Sequence, residues 1–228
     1  QNAALGTQAL YANTTANNDT AVGMNALVAN TTGTANTAAG ALALDANTTA
    51  DYNTAFGYSA LGAVITGTRN TAFGSNALLA NTGSYNVAMG HDAAAANTSG
   101  AGNVAVGDNA LRANTTGTRN VAIGSFDGSL LPALYYNTTG AKNIAIGTGA
   151  LVSNTTASDN TAVGDSALYA NTTGTRNTAV GSSALDACTT GNYNAALGFG
   201  AGSSLTTATH STFVGDSAGN ATTTGLYN

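Results

Sequence analysis

The chain has few of the residues on which enzyme and metal chemistry depends. Its 228 residues include one proline, one cysteine and no tryptophan, and charged residues make up 7% of the total. All ten acidic residues are Asp, so glutamate is absent. A single cysteine excludes a disulfide framework and a zinc cluster built on several cysteines.

The balance of charge and hydrophobicity excludes further classes of protein. The net charge of −5 argues against nucleic-acid binding, which requires a basic surface. No apolar run reaches the roughly 18 residues of a membrane span, so we expect no membrane insertion. Disordered chains combine high charge with low hydrophobicity, whereas 43% of this chain is hydrophobic. Abundant Ala, Asn, Thr and Gly with little charge indicate a regular, closely packed structure.

One short phrase, N-x-A-x-G, recurs along the whole chain with small variations. It occurs thirteen times, and the spacing of its Gly is 17 residues in ten of twelve steps, 16 once and 23 once. The repeating unit is N-[TV]-A-[VIFL]-G-x-x-A-L-x-A-N-T-T-G-x-x, whose positions we number 1 to 17. Since this unit accounts for nearly every residue, we predict one repeat array over residues 1–228. We expect it to be an interval of a longer fibre or a subunit that stacks.

The two irregular steps both fall beside Gly-rich turns. The 16-residue step lacks one Thr at residues 81–83, and the 23-residue step contains an insertion of six residues within S-F-D-G-S-L-L-P at residues 125–132. Loops absorb such changes more readily than strands do. The repeat continues in phase after each of them.

The length of the unit predicts a β-solenoid. Helical repeat families need more than about thirty residues per unit, and Thr, Asn and Gly are poor helix formers. We predict two short strands per unit, for example over residues 160–164 and 167–170, with N-T-T-G as the return turn. The fold class is therefore all-β: a parallel β-solenoid of about thirteen 17-residue coils, stacked about 4.7–4.9 Å apart.

Two apolar columns are the predicted interior of this solenoid. Position 4 is apolar in every unit, and position 9 is Leu in most. The predicted core is Val22, Phe56, Phe73, Val106, Ile123, Ile146 and Val163 at position 4, with Leu27, Leu78, Leu111 and Leu168 at position 9. The Ala columns at positions 3 and 8 allow close approach of backbone, either inside the coil or between chains, and a coil this thin would gain by packing against other chains.

Several phrases resemble the repeats of a known family. N-V-A-V-G, N-V-A-I-G and N-I-A-I-G begin at Asn103, Asn120 and Asn143, and they resemble the head repeats of trimeric autotransporter adhesins. The longer phrase over residues 160–181 is similar to repeats of bacterial and phage tail-fibre-like proteins. The resemblance implies a left-handed parallel β-roll with chains side by side, located at a cell surface or on a virion tail. This chain departs from the adhesin heads in its longer unit.

The few reactive side chains do not form a catalytic pattern. His91 and Asp92 occupy positions 6 and 7, where a solvated turn is expected, and His210 replaces the Arg or Lys common at position 17. Cys188 replaces an Asn at position 12, which indicates drift at that position. We therefore predict no enzyme activity, no catalytic residue, no cofactor and no metal ligand. A sugar-cleaving β-helix would require paired carboxylates in one cleft.

Threonine pairs at positions 13 and 14 are a candidate surface array. The candidate residues of this array are Thr14, Thr15, Thr31, Thr32, Thr48, Thr49, Thr115 and Thr116. Their hydroxyls can bond to backbone in turns, or the columns can form a flat ice-binding surface. The same triplets fit the N-x-[ST] acceptor pattern for glycosylation.

The insertion is a candidate contact loop. Its apolar residues and their neighbours are Phe126, Leu130, Leu131, Pro132, Tyr135 and Tyr136. An apolar protrusion on a polar surface marks a contact with another chain or a receptor. The alternative is a corner loop that folds back onto the solenoid.

These features together predict a non-catalytic structural or adhesive protein that forms a rigid extracellular rod or filament. The alternative is an ice-binding or surface-binding solenoid that uses its Thr columns. The expected partner is the chain itself, side by side or end to end, with a surface or glycan as a further ligand. We expect neither nucleic-acid binding nor membrane insertion.

Overall fold

The computed structural model describes residues 1–225 and divides the chain into two compact units, Gln1–Thr116 and Gly117–Asn228. The described residues contain no helix, and their thirteen strands have three residues each. The prediction of an all-β fold is confirmed.

Each strand covers positions 2 to 4 of one repeat. The strands of the first unit are β1 (Ala3–Leu5), β2 (Thr20–Val22), β3 (Thr37–Ala39), β4 (Thr54–Phe56), β5 (Thr71–Phe73), β6 (Val87–Met89) and β7 (Val104–Val106). The strands of the second unit are β8 (Val121–Ile123), β9 (Ile144–Ile146), β10 (Thr161–Val163), β11 (Thr178–Val180), β12 (Ala195–Leu197) and β13 (Thr212–Val214).

Within each unit the strands pair in parallel with their neighbours in the chain. Thr161 pairs with Thr178, one repeat later, and the same shift relates the other regular coils. Across the short repeat, Thr71 pairs with Val87. Across the long repeat, β8 pairs with β9 in the same way. Each unit is thus a parallel β-solenoid, as predicted, and both irregular repeats leave the strand register intact.

Glycine at position 5 ends each strand. Gly164 has a φ of +132°, a region that residues with a side chain rarely adopt. A Cβ added there would lie 2.6 Å from the carbonyl carbon and oxygen of Gly181 in the next coil. Position 5 therefore needs Gly for its backbone angle and for the close approach of the next coil.

The predicted second strand is wrong, because the A-L-x-A segment forms consecutive turns. The N–H of Ala167 donates to the carbonyl of Gly164 at 3.3 Å, within the same coil. The N–H of Leu168 donates instead to the carbonyl of Ala184 in the next coil, at 3.0 Å. The φ of Leu168 is +52°. Positive and negative φ angles thus alternate along this segment, and every second backbone N–H donates to a neighbouring coil. Main-chain hydrogen bonds therefore join the coils on this side as well, although the segment is not a strand.

The Leu column at position 9 lies in the interior in this left-handed conformation. Leu27, Leu78, Leu111 and Leu168 are fully buried. A left-handed φ costs a non-Gly residue on the order of 1–2 kcal/mol. Burial of a Leu side chain contributes roughly 1.5–3 kcal/mol and offsets that cost.

The prediction that position 4 faces the interior is wrong. Successive side chains of a strand point to opposite sides, and the Ala at position 3 is the buried one, as at Ala162. Positions 2 and 4 consequently face outward. Of the predicted core residues, Val22, Phe73, Ile123 and Ile146 are exposed, and Phe56, Val106 and Val163 are half-buried. The coil is too narrow to hold a large side chain from the strand as well as the Leu from the turn segment.

Two columns of buried Asn complete the interior. At position 1, Asn160 Nδ2 donates to the carbonyl of Gly174 at 2.8 Å, and its Oδ1 accepts from the N–H of Asn177 at 2.9 Å. At position 12, Asn171 Nδ2 donates to the same Gly174 carbonyl at 3.0 Å and to Asn154 Oδ1 at 3.1 Å. Buried amides are tolerated when they are hydrogen-bonded. The two Asn columns thus hydrogen-bond to the same return-turn carbonyl within a coil, and they also join each coil to its neighbours.

The last described coil fills its interior differently. Phe213 replaces the small Ala at position 3 and is buried. Gly202 and Gly219 replace the Leu at position 9, and a Cβ at Gly219 would collide with the Phe213 ring. The ring therefore occupies the space that the Leu column fills elsewhere in the unit.

Candidate functional site

The strand side of each unit is an uncharged, partly apolar surface. No position 2 or position 4 residue in the thirteen repeats carries a charge. In the first unit, Phe73 at position 4 is 51% exposed, and its ring stacks on that of Phe56 at 4.9 Å. In the second unit, Ile146 and Leu197 at position 4 are exposed. Exposed apolar surface of this kind marks contact sites, and we call positions 2 and 4 of a unit its strand face.

The Thr array lies in bends. At position 13, Thr14 Oγ1 donates to the carbonyl of Thr31 at 2.9 Å, and Thr31 Oγ1 to that of Thr48 at 3.0 Å. At position 14 the predicted residues Thr15, Thr32, Thr49 and Thr116 are exposed. The position 13 hydroxyls therefore join successive coils through the backbone. Thr14 at position 13 is also exposed, whereas Thr31, Thr48 and Thr115 are half-buried.

The insertion is a loop held by one carboxylate. Asp127 Oδ1 accepts the backbone N–H groups of Leu130 and Ser129, both at 2.8 Å. These hydrogen bonds, with that from Leu130 the larger effect, lower the pKa of the Asp127 carboxyl. The carbonyl of Leu131 accepts the N–H of Gly149 at 2.9 Å, so the chain is back in the repeat register at Leu131.

The predicted contact residues of the loop differ in exposure. Phe126 and Tyr136 are about half exposed, at 49% and 48%. Pro132 is buried, and the remaining candidates, Leu130, Leu131 and Tyr135, are half-buried. Phe126 and Tyr136 therefore present most of the apolar surface of this loop.

His91 belongs to a small charged cluster in the first unit. Its Nδ1 lies 3.1 Å from Asp108 Oδ1, and its Nε2 lies 3.7 Å from Asp92 Oδ1. Arg112 Nε lies 3.4 Å from Asp92 Oδ2. The Arg112–Asp92 ion pair, in which Arg112 is exposed and Asp92 is half-buried, contributes at most about 1 kcal/mol. Within residues 1–225, no three His, Cys, Asp or Glu side chains are placed to hold a metal ion.

Position 17 carries stacks of Arg and aromatic side chains. In the first unit, the Arg69 guanidinium lies between two tyrosine rings, 5.4 and 5.5 Å from their centroids, and donates to Tyr85 Oη at 3.1 Å. In the second unit, Arg176 lies 5.2 Å from the Tyr193 centroid and donates to its hydroxyl. His210, predicted to be a surface substitution, is exposed and stacks on Tyr193 at 4.8 Å. Such cation–π contacts contribute about 0.5–1 kcal/mol each at an exposed site.

Cys188 interrupts the Asn column at position 12. Asn154 bonds to Asn137, and Asn171 bonds to Asn154, but the next residue in the column is Cys188. Asn171 Oδ1 consequently has no hydrogen-bond partner among the described residues. Burial raises the pKa of the Cys188 thiol to about 11, so it stays protonated at neutral pH and is a weak nucleophile.

Restoring the missing amide should stabilise the fold. We expect Cys188→Asn to raise the free energy of unfolding by about 1–2 kcal/mol, because its Nδ2 would satisfy the buried Asn171 oxygen. Denaturant unfolding measures this change, with Cys188→Ala as the matched control that removes the thiol and adds no donor. Equal stabilities of the two variants would contradict the interrupted column.

Burial decides which glycosylation motifs are accessible. Seven asparagines at position 12 that begin an N-x-[ST] motif are fully buried: Asn30, Asn47, Asn97, Asn114, Asn137, Asn154 and Asn171. Asn18 and Asn220, which also begin such motifs, are exposed. Asn13, the remaining motif asparagine at position 12, is half-buried, so Asn18 and Asn220 are the most accessible of these acceptor motifs.

Comparison with known proteins adds no family to this description. In residues 1–225, the structure has no helix long and apolar enough to cross a membrane. No protein-family model matches the chain, and no curated protein matches it.

Proposed function

We propose that this chain is a non-catalytic structural protein, part of a stiff extracellular fibre such as a surface fibre, an adhesin or a tail fibre. The observation that carries the proposal is main-chain pairing of successive coils on several sides. Strand β10 pairs with β11, Leu168 N–H donates to Ala184 at 3.0 Å, and Thr172 N–H donates to Thr189 at 2.9 Å. A coil held at strand, turn segment and return turn resists bending, and added repeats extend a unit without altering its cross-section.

The proposed partner is a second copy of the chain, packed through the strand face. That surface carries no charge, and its apolar residues recur once per coil, so two copies present matching spacings. The resemblance to adhesin heads, in which chains lie side by side, supports the same arrangement. End-to-end stacking of subunits is a second route to a fibre.

The self-association has a direct test. We expect the purified chain to sediment as an oligomer, and Ile146→Lys on the strand face to shift it toward monomer, because association would bury the added charge. Thr156→Lys, at the exposed position 14 of the same coil, is the matched control and should leave the oligomer intact. A wild-type chain that stays monomeric at every concentration would refute side-by-side packing.

Negative-stain microscopy of the native material should show stiff filaments, and compact separate particles would refute the fibre.

The ice-binding alternative has weaker support. Its predicted Thr columns lie in bends, and hydroxyls of the inner column donate to backbone carbonyls of the next coil. One column of exposed hydroxyls gives a narrower surface than the paired array requires. A measurement of thermal hysteresis on the purified chain distinguishes the two functions.

A further inference from the structure

The insertion loop borders a shallow hollow on the surface of the second unit. The hollow has a volume of about 350 Å³. Its lining includes Leu130 of the loop, Tyr169, Asp186 and the hydroxyl-bearing Ser166, Ser183 and Ser203. One carboxylate, one phenol ring and three serines thus line a single site, next to the longest departure from the repeat.

Asp186 is half-buried and brings a carboxylate to the hollow. It forms no ion pair with any residue in 1–225. Partial burial raises the pKa of this carboxyl. A cationic group placed in the hollow would stabilise the ionised carboxylate.

Tyr169 precedes Asp186 by one repeat, so both occupy position 10 of adjacent coils. The tyrosine is 38% exposed. A Cβ at Gly149 would lie 3.3 Å from Tyr169 Cδ2 and 3.2 Å from Ser166 Oγ. Gly149 therefore makes room for the ring beside the hydroxyl. An aromatic ring next to an uncompensated carboxylate suits a cation, which is attracted by both.

Asp45 shows that the carboxylate alone does not make such a site. It holds position 10 in the first unit, is half-buried, and its pKa is likewise raised by burial. Its neighbours at position 10 are Val28 and Gly62, so no ring adjoins it at that position, and no insertion interrupts its coil. The site at Asp186 differs from that at Asp45 because it combines the carboxylate with the Tyr169 ring and the inserted loop.

We propose that this hollow binds a protonated amino sugar. The ammonium group would lie against the Asp186 carboxylate and the Tyr169 ring, and the sugar hydroxyls would exchange hydrogen bonds with Ser166, Ser183 and Ser203. An alkylammonium group alone would leave those serines without ligand partners. This site is independent of the structural role proposed above and involves no chemical step.

The test is a titration of the intact chain with protonated glucosamine (glucosammonium), in which amide and side-chain NMR signals are monitored. We expect shifts centred on Tyr169, Ser183 and Asp186, with a dissociation constant on the order of 1 mM for a small exposed site. Glucose, which lacks the charge, and butylammonium, which lacks the hydroxyls, should each bind at least about tenfold more weakly. If glucose binds as tightly as glucosammonium, the proposed role of Asp186 is wrong. If butylammonium binds as tightly as glucosammonium, the proposed recognition of the sugar hydroxyls is wrong.

Variants and a pKa measurement separate specific binding from surface charge. Asp186→Asn should weaken glucosammonium binding by about tenfold or more, whereas the matched variant Asp45→Asn should leave it unchanged. In the wild-type chain, saturating glucosammonium should lower the pKa of Asp186, a readout that does not depend on any variant folding. An unchanged Asp186 pKa, or equal effects of the two variants, would overturn the proposal.

Discussion

Gly164→Ala should lower the free energy of unfolding by about 3–6 kcal/mol, combining a strained backbone with a forced contact. The new Cβ would lie 2.6 Å from the backbone of Gly181 in the next coil. That backbone cannot withdraw without loss of its own bond, because Gly181 N–H donates to Val163 at 2.8 Å. Thermal or denaturant unfolding of the two proteins measures the loss.

Gly215→Ala is the matched control for the backbone angle. Gly215 holds the same repeat position with a φ of +123°, but among residues 1–225 the nearest atom to its added Cβ is Ala218 Cβ at 3.9 Å. We expect the free energy of unfolding of this variant to fall only by the cost of the strained backbone angle, about 1–3 kcal/mol. Equal losses in the two variants would show that the approach of the next coil contributes nothing.

Asn160→Ala should destabilise the chain by about 2–4 kcal/mol, because it leaves a buried N–H without an acceptor. That N–H belongs to Asn177, which donates to Asn160 Oδ1 at 2.9 Å. In the first unit Asp19 replaces Asn at position 1 and still accepts the N–H of Asn36 at 2.8 Å. Asp19 thus retains the acceptor oxygen, and the N–H of Asn36 stays hydrogen-bonded.

Thr173→Ala is the control for the Asn prediction. Thr173 is exposed at position 14 in the same coil, so its removal should change stability by no more than about 0.5 kcal/mol. Denaturant unfolding compares the two variants under the same conditions. A loss below about 1 kcal/mol for Asn160→Ala would mean that water replaces the amide and that the Asn column is not a structural element.

The sequence was sufficient to predict the coil and its strand, because the constraints at these positions are local. Gly at position 5 is required by its backbone angle, and parallel pairing follows from a fixed repeat length. The orientation of the strand was missed although a signal was present. Position 3 is Ala in nearly every repeat, whereas position 4 varies from Ala39 to Phe73. A closely packed interior does not tolerate such changes of volume, so the uniform column is the inner one.

The turn segment was harder to predict, because Leu is not a residue that favours a left-handed conformation. Leu168 adopts it since the next coil supplies both a hydrogen-bond acceptor and a buried environment. The hollow beside Asp186 was beyond sequence reasoning for a similar reason. It depends on where the inserted Leu130 lies relative to Tyr169, which is a property of the folded loop.

The preserved strand register across one short and one long repeat has a consequence for how such a gene changes. Recombination between two copies of the repeat removes or adds whole coils, and the new junction joins backbone positions that are already equivalent. Errors of a few codons are tolerated where they fall in a corner. A chain that gains or loses a whole coil should therefore keep the same architecture in each remaining coil.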